Sequence, residues 1–189
     1  MRYNRKSLNI DNKMNHLVPD FYKDIVPLQE AAGISLGMDY DEFRSLALCL
    51  DAGEEEYESG QEQNIWLVSH RCELLPWQEW INEIYCSWES TVTLTFDGNS
   101  KKLIRIFVSE GYKGKLLGLL EIGDRLDRVK ADFNFYFECD AHYLEYKEDS
   151  EMSGELIPAE ITTNYRTAYS EEYPDQIIEG ILIYELKKE

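Results

Sequence analysis

The feature that most constrains this chain is a short pattern that occurs twice. Ile34-Ser35-Leu36-Gly37-Met38-Asp39-Tyr40-Asp41-Glu42-Phe43-Arg44 and Leu120-Glu121-Ile122-Gly123-Asp124-Arg125-Leu126-Asp127-Arg128-Val129-Lys130 share one grammar. An alternating apolar lead-in reaches a glycine; an apolar residue follows three positions on, then Asp, then an apolar residue six positions after the glycine. Glycine at the turn adopts positive φ without steric cost. Asp39 or Asp124 is placed to cap a helix by accepting a backbone N–H. The pattern predicts a strand-like lead-in, a turn and a helix in each half. The first helix would bury Tyr40, Phe43, Leu46 (or Ala47) and Leu50 along one face. The second would run from about Asp124 to Asp132.

Strand patterns surround both units. Thr91–Phe96 and Leu103–Val108 alternate about Asp97-Gly98, the mark of a hairpin. Phe133–Phe137 and His142–Tyr146 form a second pair across residues 138–141. Ile65–Ser69, Glu155–Tyr165 and Ile177–Leu186 read as further strands, with a bulge at Gly180. Pro76–Trp88 carries Trp77, Trp80, Ile81, Ile84 and Trp88 at helical spacing, yet alternates from Ile84 onward. A short helix opened by Pro76 and giving way to a strand is expected there. The fold class expected is α+β: two tandem helix-plus-antiparallel-sheet modules, with the helices on one face of the sheet. Residues 1–27 form an N-terminal arm, 28–113 the first repeat and 114–189 the second, packed as one compact unit. The sheet's other face need not be covered. Studded with Tyr, Trp and carboxylates, it would serve as a docking surface.

Charge narrows the partners. The chain carries 37 acidic and 19 basic side chains, a formal net charge of −18. That field repels nucleic-acid phosphates and anionic membranes, and it speeds encounter with basic proteins. Acidic residues gather without periodicity in 51–62 and 148–151, which read as loops. The three histidines, at 16, 70 and 142, are scattered, and the four cysteines make no C-x-x-C pair. Zinc needs closely paired ligands, so no metal site is assigned. Cys49, Cys72, Cys86 and Cys139 sit among apolar neighbours, as buried inert thiols do. Gly111–Lys115 lacks P-loop spacing, and no Gly-x-Ser-x-Gly elbow occurs. No cofactor is implied, no catalytic residue is assigned and an enzyme is not expected. No apolar run approaches the roughly 20 residues that span a bilayer, and none follows the basic Met1–Lys6, so a cytoplasmic location is expected.

The segments Leu36–Phe43 and Ile122–Val129 resemble the apolar-Gly-x-x-apolar-x-x-apolar motif of the β-lactamase inhibitory protein and its related small lipoproteins. That resemblance implies helix-plus-sheet modules used in tandem. The second half, through Gly114–Leu117, Ile122–Asp124, Phe135–Phe137 and Tyr143–Tyr146, is similar to immunity proteins of bacterial polymorphic-toxin and contact-dependent growth inhibition systems. This implies an acidic, non-catalytic cytosolic protein that binds one cognate toxin domain, basic in charge and suited to be a nuclease. The candidate partner-binding residues are Asp51, Glu54, Glu55, Glu56, Glu58, Trp77, Trp80, Asp140, Glu145, Glu148, Asp149, Glu151, Glu171, Glu172 and Asp175. Two alternatives use the same acidity: a nucleic-acid mimic that blocks a DNA- or RNA-binding enzyme, and a carboxylate-dependent hydrolase.

Overall fold

A computed structural model describes residues 16–51, 64–76, 80–147 and 152–186. In chain order the elements are β1 (Glu30–Ala31), β2 (Ile34–Ser35), helix α1 (Tyr40–Leu46), β3 (Cys49–Asp51), β4 (Trp66–Leu74), β5 (Trp80–Trp88), β6 (Val92–Asp97) and β7 (Leu103–Val108). A 3-10 turn (Leu126–Val129), β8 (Phe133–Glu138), β9 (Ala141–Tyr146), β10 (Ala159–Thr163) and β11 (Ile178–Tyr184) follow. Nine strands make one sheet in the order β3-β4-β5-β6-β7-β11-β10-β9-β8. Each half contributes an antiparallel meander, β4 to β7 and β8 to β11, and the last strands of the two, β7 and β11, pair antiparallel at the join. β3 lies parallel to β4 at one edge.

The expected α+β class with two helix modules is overturned. The described residues are 46% strand and 7% helical, with a single α-helix among them. The reason lies at one position. Asp39, two residues after Gly37, caps α1 by accepting the Asp41 N–H at 2.9 Å. The equivalent residue after Gly123 is Arg125, which makes no capping hydrogen bond. Asp124 stands one residue too early, and its carboxylate instead accepts the Glu121 N–H at 3.1 Å and pairs with Arg128. With the first-turn N–H groups uncapped, only a 3-10 turn forms before Phe133 enters β8. The first helix is also shorter than its spacing suggested. Ala47 is extended, Leu50 belongs to β3, Leu46 is exposed and only Phe43 is fully buried.

What the two segments do share is their attachment to the sheet. Gly37 and Gly123 both have positive φ, 79° and 92°. Each donates its N–H at 2.8 Å to the first residue of its half's last strand or its counterpart, Leu103 and Ile178 respectively. Leu103 N–H returns to Met38 C=O and Ile178 N–H to Asp124 C=O, both at 2.9 Å. Tyr40 N–H donates to Lys101 C=O and Leu126 N–H to Gln176 C=O, both at 2.8 Å. The pattern read as turn-plus-helix is thus a clamp that docks each turn against the start of a strand.

Trp80–Ile84 is strand, so the expected helix there is absent across the described part of 76–88; Trp77 lies outside the described residues. Both hairpins form as the alternation predicts. At the join of β10 and β11 the register slips beside Gly180: Thr162 faces Gly180 and Thr163 faces Ile178, leaving Glu179 as the extra residue.

One face of the sheet carries the core. Trp66, Val68, Ile84, Cys86, Trp88, Leu94, Phe96, Ile106, Ile161, Ile181, Ile183 and Leu144 are buried on it. α1, the β1-β2 hairpin and the loops holding Ile25, Tyr112, Leu116, Leu120, Leu126 and Val129 supply the covering layer. Tyr112 ties that layer together: its buried hydroxyl accepts the Ala32 N–H at 2.8 Å and donates to the Lys23 carbonyl. Burial pushes its phenol up to about 12. The thiols do not share one environment as expected. Cys86 is buried, but Cys72 near the end of β4 and Cys139 in the β8-β9 turn are exposed, because neither position reaches the covered part of the sheet. Among the described residues no helix is long and apolar enough to cross a membrane.

Candidate functional site

Alternation along the strands sends the remaining side chains to the opposite face, and none of them belongs to the buried core. The registers place them in rows. One row runs Leu67, Ser87, Thr93, Phe107, Leu182 and Glu160 across β4 to β10, and the cross-strand pair Tyr143–Tyr136 continues it on β9 and β8. The next row runs Ser69, Tyr85, Thr95, Arg105 and Tyr184. Phe107, Leu182, Tyr85, Tyr143 and Tyr184 are half-buried and Tyr136 is exposed. This is an aromatic face with polar groups set between the rings.

Its polar groups are organised. Glu83 is nearly buried and accepts from both Arg105 and the Tyr85 hydroxyl. Burial first, then the Glu83 carboxylate, raises the Tyr85 phenol above its ordinary value. Arg71 pairs with Glu73 through its Nε at 2.8 Å. Towards the β8 edge the balance turns negative. Burial and then the neighbouring Glu160 carboxylate hold the Tyr143 phenol well above the usual range, and Tyr184 is raised by the same two causes. A groove of about 660 Å³ opens there, lined by Tyr136, Tyr143, Tyr184, Glu138, Glu155 and Leu156 among others. Leu28 and Leu117, from the loops of the covering layer, form part of its wall.

The candidate partner-binding residues do not gather at this face. Glu54, Glu55, Glu56, Glu58, Trp77, Glu148, Asp149 and Glu151 lie outside the described residues. Three of the others are held by the chain's own arginines: Asp51 by Arg44 at 2.8 Å, Asp140 by Arg166 at 3.9 Å and Asp175 by Arg125. Trp80 is 67% exposed and faces Leu74 at the connected end of the β4-β5 hairpin. Glu171 and Glu172 are exposed on the loop before β11. Among the described candidates only Glu145 belongs to the open face, where it accepts from Asn134 at 3.0 Å. The residues that do converge, Tyr136, Glu138, Tyr143, Glu160 and Tyr184, were legible as strand but not as surface. Period-two alternation of 133–138 separates Phe133, Phe135 and Phe137 from Asn134, Tyr136 and Glu138, and that separation is the clue.

Among the described residues no three or more His, Cys, Asp and Glu side chains come together as metal ligands would. His142 is fully buried against Phe137, and neither ring nitrogen makes a well-formed hydrogen bond. The backbone of Ile161 and Thr167 lies close enough to offset only part of the burial, which lowers its pKa. No protein-family model, no curated protein and no solved structure matches this chain.

Proposed function

We propose that this protein is a stoichiometric binding protein that captures and neutralises a basic toxin domain in the cytoplasm, as an immunity protein does. The observation that carries this reading is the open aromatic face on a chain of net charge −18. A sheet covered on one side presents a broad, rigid surface, and rings set between polar groups are the residue types that anchor protein interfaces. Net negative charge steers a cationic partner toward it. A nuclease suits as the target, because a protein that grips phosphates is basic.

The test is co-expression with the basic, toxic C-terminal domain of an exported protein encoded beside this chain. Stoichiometric co-purification together with protection of the cells is the expected result. Protection without a physical complex would sink capture. A complex that forms with unrelated DNA-binding enzymes, and dissolves in competition with DNA, would instead identify a nucleic-acid mimic.

A further inference from the structure

We infer that the groove at the β8 edge of the open face receives an arginine side chain flanked by apolar residues, presented by a basic polypeptide. This rests on the capture reading and says where on the molecule capture is specific. The groove walls are of three kinds. Tyr136, Tyr143 and Tyr184 supply ring faces, Glu138 and Glu155 supply carboxylates, and Leu28, Leu117, Leu156 and Leu186 supply apolar surface. Among the described residues no Lys or Arg lines the groove. Glu160 lies close enough to the Tyr143 and Tyr184 phenols to raise both, which puts a third carboxylate beside the groove. A guanidinium is the cation that fits this set. It is planar and weakly hydrated, stacks on tyrosine and pairs with carboxylates at the same time.

The leucines decide between a polypeptide and a small polycation. All four are exposed, Leu156 and Leu186 more than half. They lie along the same groove as the carboxylates. A polyamine offers charge and methylenes but no branched apolar side chain to cover them. A peptide of the form apolar-Arg-apolar covers both. The volume of about 660 Å³ falls in the range that takes a short segment and not a whole domain, and Tyr136, Tyr143 and Tyr184 in its walls belong to the rows of the aromatic face, where the body of the partner would lie.

The probe is the capped peptide Gly-Leu-Arg-Leu-Gly, titrated into the full chain and followed by NMR of the tyrosine rings. Its controls are the same peptide with citrulline in place of Arg, and spermine. The arginine peptide should shift Tyr136, Tyr143 and Tyr184, and the citrulline peptide should bind about fivefold or more weaker, the size of one cation–π and carboxylate contact. Tyr136→Ala and Glu138→Gln, both at exposed positions, should each weaken binding, while Glu89→Gln, exposed after β5 and outside the groove lining, leaves it unchanged. Equal binding of the citrulline peptide overturns the inference. So does spermine binding more tightly with the same shifts, or Glu89→Gln weakening the peptide as much as Glu138→Gln. A basic toxin domain captured equally by the wild type and the Tyr136→Ala/Glu138→Gln chain would remove the groove but leave capture standing. Peptide binding with no toxin domain captured would do the reverse.

Discussion

His142 shows at the scale of one residue how burial turns into pH dependence. Its ring is fully buried and its pKa is lowered from 6.5, with desolvation the leading cause. The unfolded chain takes up a proton near pH 6.5 while the folded ring stays neutral. Stability is therefore complete above that value and falls as pH drops below it, by at most about 1.4 kcal/mol per pH unit. Thermal melts at pH 7.5 and 5.5 should show this loss, and His142→Leu should make it smaller; an unchanged loss would mean that the ring does not titrate in this window. Gly180 is the other residue whose role is clear. A Cβ there would meet the Phe107 ring at 2.5 Å and Thr162 Oγ1 at 2.7 Å. Phe107 thus lies across the strand where a side chain would stand. Gly180→Ala should cost about 1–3 kcal/mol through overpacking, read as a lower denaturant midpoint. A neutral result would show that the ring moves aside freely.

The turns matter more than the helix at the scale of elements. The Gly37 and Gly123 clamps are defined by backbone hydrogen bonds to strand starts, so they persist whether a helix follows or not. Asp39 alone separates the two outcomes. Asp39→Ala should weaken α1 by about 0.5–2 kcal/mol, seen as faster amide exchange in 41–46, with the Gly37 amide still protected. The covering layer depends on one side chain in the same way. Tyr112→Phe strands the Ala32 N–H and the Lys23 C=O, at a cost of about 1–3 kcal/mol. Equal stability of that variant in urea would mean that water replaces the hydroxyl.

Across the whole molecule, a continuous sheet crosses from the first half to the second through β7 and β11, so the open face is a single surface and its rows of side chains run through both halves. Its charge is global, while its specificity is local to the groove. Salt should therefore act on the two differently. Raising the salt from 0.05 to 0.5 M should slow association with a basic partner by about tenfold or more and change dissociation far less. A loss carried mainly by the dissociation rate would mean that the net charge does not steer the encounter.

Sequence alone settled what depends on near neighbours. The Asp97-Gly98 hairpin, the aromatic hairpin of β8 and β9, the bulge beside Gly180 and the two glycine turns follow from alternation and from backbone freedom, which act within a few residues. It did not settle the second helix, because capping depends on which of two adjacent positions holds the carboxylate, and Asp124, one position early, instead accepts the Glu121 N–H and pairs with Arg128. Nor did it settle the site. Acidity drew attention to Asp51, Asp140 and Asp175, and tertiary structure gave each an arginine partner. Tyr136 and Tyr143 meet across one local hairpin, but Tyr184 joins them only because β11, distant in sequence, is brought alongside through β10, and that pairing order is written in no local pattern.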